Sequence, residues 1–298
     1  MPPDLSVSIV NLNSRSTLLP CLEALYRTLG DLHAEVFVID NAATDGSVAA
    51  VRQAFPQVCL IELDYVQGFS SNNNLAFTQS HGRYLLVLNN DTLLHPGALQ
   101  ALVGFLDAHP QAAVAGAQLL DADGGPQYSY DFAPSPLYEG LRPLSERLHP
   151  LPRPNGAGPM EVETVPAACM LVRALAAQQV GYFDVAFDPW YSEDTDWCYR
   201  FRQAGWGVFF VPAARVTHFG EVNQRRFSPQ RYEVIHRQKA RYFRKHHGPM
   251  AAWTYKIALF VSNLAKLLGW SLAWLLRRPH AAVKVKIHAM MVRRCLTF

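Results

Sequence analysis

The stretch RYLLVLNND, residues 83–91, is an apolar run that ends abruptly in Asn89, Asn90 and Asp91. An apolar run this short, with polar residues directly after it, is typical of a fully buried β-strand. Carboxylate and amide oxygens at such a position could hold a hard divalent cation that bridges a diphosphate. One carboxylate is few for a metal site, so an ordinary turn after the strand is the alternative explanation.

Two earlier apolar runs end in the same way, and segments with helical spacing separate all three. SVSIVNLN (residues 6–13) and EVFVIDN (residues 35–41) both finish in polar residues. Strands that alternate with helices predict right-handed βαβ units and a largely parallel sheet, in which ligands bind at the carboxyl ends of the strands. Asp40 could accept a hydrogen bond from a base or a ribose hydroxyl, or it could begin an Asx-turn. The candidate binding residues at these two strand ends are Asn11, Asn13, Asp40 and Asn41.

Further segments extend the α/β pattern. CLIEL (residues 59–63), AAVAGAQLL (112–120) and WGVFFVPAARVTHFG (206–220) are predicted strands, and a polar helix is predicted to begin near Phe69. Seven prolines within residues 133–160 predict an irregular loop. The dinucleotide fingerprint GxGxxG and the phosphate-binding motif GxxxxGK[ST] are both missing, so neither a NAD enzyme nor a P-loop NTPase is expected.

The composition excludes several classes of protein. The chain has 298 residues, of which 50% are hydrophobic and 17% charged, and this balance excludes an intrinsically disordered protein. Only one segment approaches the roughly 20 apolar residues of a membrane span, which excludes a polytopic membrane protein. The five cysteines are scattered without a CxxC pair, so neither a disulfide framework nor a zinc site is expected. The opening MPPDLSVSIV lacks a basic n-region, so we expect no signal peptide and a reducing cytoplasm.

The formal net charge of +3 conceals two oppositely charged parts of the chain. Residues 1–221 carry 11 Arg, no Lys and 23 Asp or Glu, a net charge of −12. Residues 222–298 carry 16 Lys or Arg and one acid, a net charge of +15. We therefore expect an acidic body and a basic tail, and the tail predicts an anionic partner, either a membrane surface or a nucleic acid.

The tail contains the most apolar segment of the chain, residues 250–276. On a helical wheel Lys256, Asn263 and Lys266 fall in one polar arc, and most of the Leu, Ile, Val and Phe residues occupy the rest. A lysine in the middle of a span is costly, which favours a helix in the plane of an anionic membrane over a spanning helix. A helix packed on the body or at a homodimer interface is the other alternative. Catalytic-type motifs in the body argue against a nucleic-acid partner.

Two further positions could carry chemistry. SEDTDW brings Glu193, Asp194 and Asp196 close together, which suits either a general base with acidic neighbours or an acidic helix N-terminus. His218 ends an apolar run, and although a lone histidine is usually structural, this one could complete a metal site with Asp91. No cysteine lies in a motif that would activate it as a nucleophile.

Seven motifs follow one another along the chain: VSIVNLNS, VIDNAATDGS, QGFSSNNN, YLLVLNNDT, PAACMLVR, YSEDTDWCYRFRQAGW and VPAARVTH. Together they resemble the family 2 inverting glycosyltransferases, most closely the rhamnosyltransferase-like branch, over roughly residues 5–220. The resemblance implies an α/β glycosyltransferase A-type (Rossmann-like) fold, with a mixed, mainly parallel sheet, flanking helices and a helical C-terminal appendage at 222–298. It divides the body into a nucleotide-binding part, about 1–125, and an acceptor part, about 126–221.

The resemblance also implies roles for individual residues. Asp194 matches the catalytic base, with Glu193 beside it. Asp91 and His218 match positions that hold a divalent metal, Mg²⁺ or Mn²⁺. Val66 departs from the branch, which often has Asn at this place. The residues implied to contact or shape the nucleotide and donor site are Asn11, Asn13, Asp40, Asn41, Asp45, Gly68, Phe69, Asn73, Asn89 and Asn90.

These roles imply inverting transfer of a sugar, such as rhamnose, from a nucleotide-sugar donor to a lipid-linked or glycan acceptor in cell-surface polysaccharide synthesis. A single in-line displacement needs one base at the acceptor hydroxyl and a cation at the departing diphosphate. We expect the protein at the inner face of the cell membrane, as a peripheral cytoplasmic enzyme. A catalytically silent homologue that binds sugar nucleotides or membranes is the alternative. A nucleotidyltransferase is disfavoured because a Gly-rich, Lys- or Arg-bearing first loop is missing.

Overall fold

The computed structural model describes residues 2–132, 134–145, 158–220 and 228–298. Its strands are β1 (Leu5–Asn11), β2 (Ala34–Asn41), β3 (Cys59–Leu63), β4 (Tyr84–Leu88), β5 (Thr92–Leu94), β6 (Ala112–Leu120), β7 (Met160–Glu161), β8 (Cys169–Arg173) and β9 (Gly207–His218). Its α-helices are α1 (Arg15–Thr28), α2 (Ser47–Ala54), α3 (Phe69–Phe77), α4 (Ala98–Ala108), α5 (Pro136–Ser145), α6 (Ala174–Val180), α7 (Glu193–Gln203), α8 (Pro229–Leu275) and α9 (Ala281–Arg294).

The strands form one mixed sheet in the order β3-β2-β1-β4-β8-β6-β9-β5, with β7 paired to β9. The first four strands of this order are parallel to one another, β6 is parallel to β9, and β8 lies antiparallel between β4 and β6. The mixed, mainly parallel sheet expected from the sequence is thereby confirmed. Asn11 lies opposite Asp40 in the register of β1 and β2, so the polar residues at the carboxyl ends of these two strands meet at one edge of the sheet.

Successive side chains of β4 point alternately into two hydrophobic cores, one on each face of the sheet. Leu86 and Leu88 belong to the core that α1 and α4 cover, whereas Leu85 and Val87 pack in the core that contains Trp197 of α7. All five residues of β4 are buried, as expected for a central strand that helices cover on both faces. The abrupt change from Leu88 to polar residues therefore marks the edge of both cores.

The chain divides into two compact units. The first unit contains the sheet together with α1 to α4, α6 and α7. The second unit contains α5, α8, α9 and the short segment Trp190–Ser192, so it includes more than the tail expected at residues 222–298.

Helix α5 corrects the expectation of an irregular loop across residues 133–160. Pro136 is the first residue of the helix, where the missing N–H of proline would have no partner in any case. Gly140 packs so closely on α8 that an added Cβ would lie 2.5 Å from the Cβ of Ala258. The buried carboxylate of Glu139 pairs with Lys239 and Arg142. Packing inside the second unit thus stabilises a helix despite the proline-rich composition. The rest of the predicted loop, at residues 146–157, lies outside the described residues.

Helix α8 bends at Gly248, whose backbone is left-handed with φ of 83°. After this bend, Asn263 is fully buried, and its amide oxygen accepts a hydrogen bond from Nδ1 of His288 at 2.8 Å. The helical wheel placed Asn263 in a polar arc, and in the structure α9 packs against α8 and covers this position. Burial lowers the pKa of His288 to about 4, so its ring is neutral in this polar contact at neutral pH.

Candidate functional site

Hydrogen bonds join the carboxyl ends of β1 and β2. The amide of Asn11 donates to Asp40 at 2.9 Å and to the hydroxyl of Ser47 at 2.8 Å. All three side chains are buried, and Oδ1 of Asn11 has no hydrogen-bond partner. A buried polar atom without a partner is costly unless a ligand or water supplies the missing bond. These strand ends therefore offer a polar acceptor and the carboxylate of Asp40 at the edge where α/β sheets bind ligands.

The loop after β2 is held by side-chain contacts to its neighbours. Asn13 accepts from the backbone N–H of Thr44 at 2.7 Å, and Asp45 accepts from the backbone N–H groups of Arg15 and Ser47. Burial opposes ionisation of Asp45, but the hydrogen bonds from Ser47 and Arg15 outweigh it and lower the pKa of this carboxyl. Asn13 and Asp45 therefore shape the loop.

The segment before α3 is also tied to β2. Asn41 and the backbone of Gln67 exchange two hydrogen bonds, of 3.0 and 2.7 Å. Asn73 is fully buried, accepts from Ser8 at 2.7 Å and donates to the carbonyl of Phe69. In this structure the amide of Asn73 thus joins α3 to β1 and is not exposed to a ligand.

Gly68 precedes α3 and lies directly against Asp188. The Asp188 carboxylate accepts from the backbone N–H of Ser70 at 2.9 Å and from the hydroxyl of Ser71, so it caps the N-terminus of α3. A Cβ built on Gly68 would lie 2.0 Å from Cγ of Asp188 and 2.4 Å from its Cβ. Only glycine fits at this position while Asp188 caps the helix.

Replacement of Gly68 by Ala is therefore expected to destabilise the protein by about 1–3 kcal/mol, because the new methyl group displaces the capping carboxylate. Thermal or urea unfolding measures this change. Gly104 within α4 is the matched control, since a Cβ there meets nothing within 4 Å. Gly104→Ala should stabilise the protein by roughly 0.5–1 kcal/mol through helix propensity. Equal stabilities for the two variants would contradict the close contact between Gly68 and Asp188.

The residues after β4 meet the end of β9. Thr92 pairs with His218 in the antiparallel ladder of β5 and β9, and the N–H of Phe219 donates to the carbonyl of Asp91 at 3.0 Å. This pairing places Nε2 of His218 3.4 Å from Oδ1 of Asp91 and 3.4 Å from Nδ2 of Asn89. The structure thus brings together residues that are 127 positions apart and that the sequence had assigned to one metal site.

Asn90 faces a different neighbour. Its amide donates to the carbonyl of Val10 at 2.8 Å, and so Asn90 connects the turn that follows β4 to strand β1.

The buried cysteines are not candidate nucleophiles. Next to the turn, the thiol of Cys21 donates to the carbonyl of Asn89 at 3.5 Å. Burial raises the pKa of Cys21 to about 12, as it does for Cys169 and Cys198, so none of these three thiols is ionised at neutral pH.

Asp194 lies in the first turn of α7, where the helix N-terminus favours a negative charge. Its carboxylate accepts from the backbone N–H of Thr195 at 2.7 Å and of Ala167 at 3.3 Å. Burial raises the pKa of Asp194 above its usual 3.8, although these hydrogen bonds oppose the increase. A carboxylate with a raised pKa is a stronger base than an ordinary aspartate, as general-base catalysis requires.

The neighbouring acids differ from Asp194. Asp196 is fully buried and pairs with Arg200 at 2.8 Å, and the guanidinium of Arg200 also donates to three backbone carbonyls. Asp196 is therefore structural. Glu193 is the first residue of α7 and is buried.

Two consecutive alanines connect the two parts of the site. The N–H of Ala167 donates to Asp194, and the carbonyl of Ala168 accepts from the backbone N–H of Asn89 at 2.9 Å. The motif PAACMLVR therefore contributes to the site through backbone hydrogen bonds. The identity of its side chains does not predict these bonds. Sequence analysis also missed Gln127 and Asp188, because each contacts its partner only after the chain has folded across 91 and about 118 residues, respectively.

The mixed sheet, with antiparallel β8 inserted beside the parallel strands, has the glycosyltransferase A-type fold. A solved structure with this fold is the mannosyltransferase from Pyrobaculum calidifontis in complex with GDP-Man and Mn²⁺. It aligns with 98% of this chain and 86% of its own, at a TM-score of 0.61 and 17% identity. At this identity the likeness concerns the fold alone.

The chain belongs to glycosyl transferase family 2, because the sequence model of that family matches residues 6–165, which is more than half of the chain. An N-acetylglucosaminyl-diphospho-decaprenol L-rhamnosyltransferase of Mycobacterium tuberculosis is 30% identical over 209 residues. That match spans 61% of this chain and 66% of the relative, slightly less than two thirds of its length. A low-salt glycan biosynthesis hexosyltransferase of Haloferax volcanii is 25% identical over 240 residues, 78% of this chain and 73% of the relative.

Proposed function

We propose that the protein is an inverting glycosyltransferase that moves a hexosyl or rhamnosyl group from a nucleotide sugar to a lipid-linked or glycan acceptor. The observation that supports this most is Asp194, a carboxylate with a raised pKa that accepts from the N–H of Ala167, while the adjacent Ala168 bonds the backbone of Asn89. The rhamnosyltransferase and hexosyltransferase relatives support the type of group transferred. The name of the mycobacterial relative supports a polyprenyl diphosphate-linked acceptor.

A divalent cation fits the donor set of Asp91 and His218. Their facing atoms are 3.4 Å apart, near the separation of two ligands that each lie roughly 2.1 Å from one cation. Among the described residues there is no group of three or more His, Cys, Asp or Glu placed to hold a metal. Two protein ligands suit a cation shared with a diphosphate, and Mg²⁺ or Mn²⁺ would neutralise charge on the departing nucleotide.

The chain's own residues supply the remaining functions. Asp40, held by Asn11, is proposed to accept from the base or ribose of the donor. Asp194 is proposed to remove the proton from the acceptor hydroxyl as that oxygen attacks the anomeric carbon. No covalent intermediate is needed, and the buried cysteines Cys21, Cys169 and Cys198 are protonated at neutral pH.

A donor panel tests the proposed activity. Purified protein is incubated with dTDP-rhamnose, UDP-sugars or GDP-mannose, with and without Mn²⁺, and released nucleotide is measured. We expect release from one donor class that Mn²⁺ stimulates. Binding without release from any donor would indicate a silent homologue instead. In a separate incubation with a sugar phosphate and an NTP, release of pyrophosphate would indicate a nucleotidyltransferase.

We also propose that the outer face of α8 binds an anionic membrane. Within the described chain, α8 is long and apolar enough to cross a membrane by length and composition, and 22% of its most apolar window is buried. The polar Asn263 is turned inward, and the exposed positions after Gly248 are mainly apolar. Because residues 222–298 carry a net charge of +15, anionic lipid would be attracted to the same segment. The large exposed apolar residues on this part of α8 are Met250, Trp253, Ile257, Val261, Leu264, Leu268, Leu272, Trp274 and Leu275.

Replacement of Leu268 by Asp is expected to weaken binding to phosphatidylglycerol vesicles by about tenfold or more, since a buried leucine contributes roughly 1.5–3 kcal/mol. Co-sedimentation of the full chain measures this. Leu175 of α6 is the matched control, because its exposure of 65% is close to the 66% of Leu268 while it lies in the first unit. Leu175→Asp should bind as wild type does. Equal binding by both variants would refute the membrane surface.

A further inference from the structure

Gln127 contacts His218 through both ends of its side-chain amide. Its Nε2 donates to the backbone carbonyl of His218 at 2.6 Å, and its Oε1 lies 3.1 Å from Nδ1 of the ring. The chain reaches this place through a tight turn after β6, in which Asp121 accepts from the N–H of Gly125 and the N–H of Gln127 donates to the carbonyl of Leu119. Because Leu120 pairs with Thr217, this return brings Gln127 beside the end of β9.

The contacts determine which ring nitrogen of His218 carries the proton. A carbonyl oxygen can only accept, so the amide nitrogen of Gln127 must face the His218 carbonyl, and Oε1 must then face the ring. Oε1 can also only accept, so Nδ1 must be the donor. In the neutral ring the lone pair then resides on Nε2, the atom 3.4 Å from the Asp91 carboxylate. Nε2 also lies 3.4 Å from Nδ2 of Asn89, which can donate to that lone pair.

We propose that Gln127 is a positioning residue that holds His218 in the Nδ1–H tautomer and so presents the Nε2 lone pair to a divalent cation beside Asp91. This inference rests on the proposed function, because it concerns the cation that would accompany the nucleotide donor. Metal-bound histidines generally donate their second N–H to a fixed acceptor, which sets the ring orientation and strengthens the ligand. Here an uncharged amide fulfils that function and also clamps the histidine backbone.

The tautomer can be measured directly in the metal-free protein. Long-range ¹H–¹⁵N NMR of histidine-labelled full chain, at about pH 8.5 where ordinary imidazoles are neutral, distinguishes Nδ1–H from Nε2–H rings. The signals of His218 are those that disappear in His218→Gln. We expect the Nδ1–H tautomer in wild type and the Nε2–H tautomer in Gln127→Leu, which retains the bulk of the side chain but has no acceptor.

Metal affinity provides the second readout, measured by calorimetric titration with Mn²⁺ alone. Gln127→Leu should bind Mn²⁺ about 10–100-fold more weakly than wild type. Gln127→Glu should retain the tautomer, because a carboxylate oxygen still accepts from Nδ1, although this variant loses the hydrogen bond to the His218 carbonyl. Gln118→Leu is the matched control: Gln118 lies on β6 and donates to Leu119 and Ser129. That variant should behave as wild type does in both measurements.

Two results would overturn the inference: an Nε2–H ring in wild type, or wild-type tautomer and Mn²⁺ affinity in Gln127→Leu. Either could occur in a protein that still releases nucleotide from a donor, in which case the proposed function would stand. Failure of the donor panel in a protein with the Nδ1–H ring and Gln127-dependent Mn²⁺ binding would instead reject the glycosyl transfer and leave the role of Gln127 supported.

Discussion

Replacement of Asp194 by Asn is expected to lower the turnover number by about 10²–10⁴-fold, which is the range that a positioned general base contributes. An amide cannot take the proton of the acceptor hydroxyl, whereas the Asp194 carboxylate has a raised pKa and therefore a higher affinity for that proton. Donor binding should be unchanged, because the nucleotide is proposed to contact the ends of β1 and β2. Nucleotide release and donor titration by calorimetry separate the two effects.

The fold of this variant should survive. The amide oxygen of Asn can still accept from Thr195, while the hydrogen bond from Ala167 is lost. That loss of about 1 kcal/mol is partly offset by removal of a buried charge, so the melting temperature should move by no more than roughly 2–4 °C. Asp31→Asn, a change at an exposed acid, is the control for loss of one negative charge. Wild-type turnover in Asp194→Asn would remove Asp194 from the role of base.

The raised pKa of Asp194 also predicts a pH dependence of the wild-type enzyme. The base must be ionised to work, so turnover should fall as the pH decreases through a value above the usual 3.8 of aspartate. The pH profile of the turnover number at saturating donor measures this acid limb. A profile that stays flat down to the pKa of an ordinary aspartate would show that desolvation does not tune the base.

Replacement of Asp91 by Ala should lower turnover by about 100-fold or more and should abolish its stimulation by Mn²⁺, since a bound cation contributes several kcal/mol of charge stabilisation. Only the side chain of Asp91 faces His218, and its carbonyl would still accept from Phe219. The pairing of β5 with β9 should therefore persist. Turnover as a function of Mn²⁺ concentration, compared with Asp31→Asn, measures the effect. An unchanged Mn²⁺ response would place the cation elsewhere.

The sheet and the grouping of the strand-end residues were predictable because both depend on local pattern. Apolar runs that change sharply to Asn or Asp fixed the ends of β1, β2 and β4, and parallel pairing then placed Asn11 opposite Asp40. The pairing of Asp91 with His218 was one of two alternatives that the residues left open and was then implied by a family resemblance, and the antiparallel ladder of β5 and β9 explains it.

Other features depend on packing that a single sequence does not encode locally. Gln127 lies in a turn without any distinguishing motif, and only the return of the chain after β6 brings it to His218. Proline content predicted a loop where close packing at Gly140 stabilises α5 on α8. A helical wheel placed Asn263 on a polar arc correctly, but it carries no information about α9, which covers that arc.

The configuration of the transferred sugar tests the central claim most directly. With the donor that the panel identifies, the anomeric configuration of the product is determined by ¹H NMR immediately after transfer. Attack of an acceptor oxygen that Asp194 has deprotonated, in a single displacement, predicts a product whose anomeric configuration is inverted relative to the donor. Retention of configuration would require a different mechanism and would contradict the assignment of Asp194 as the base of an inverting transfer.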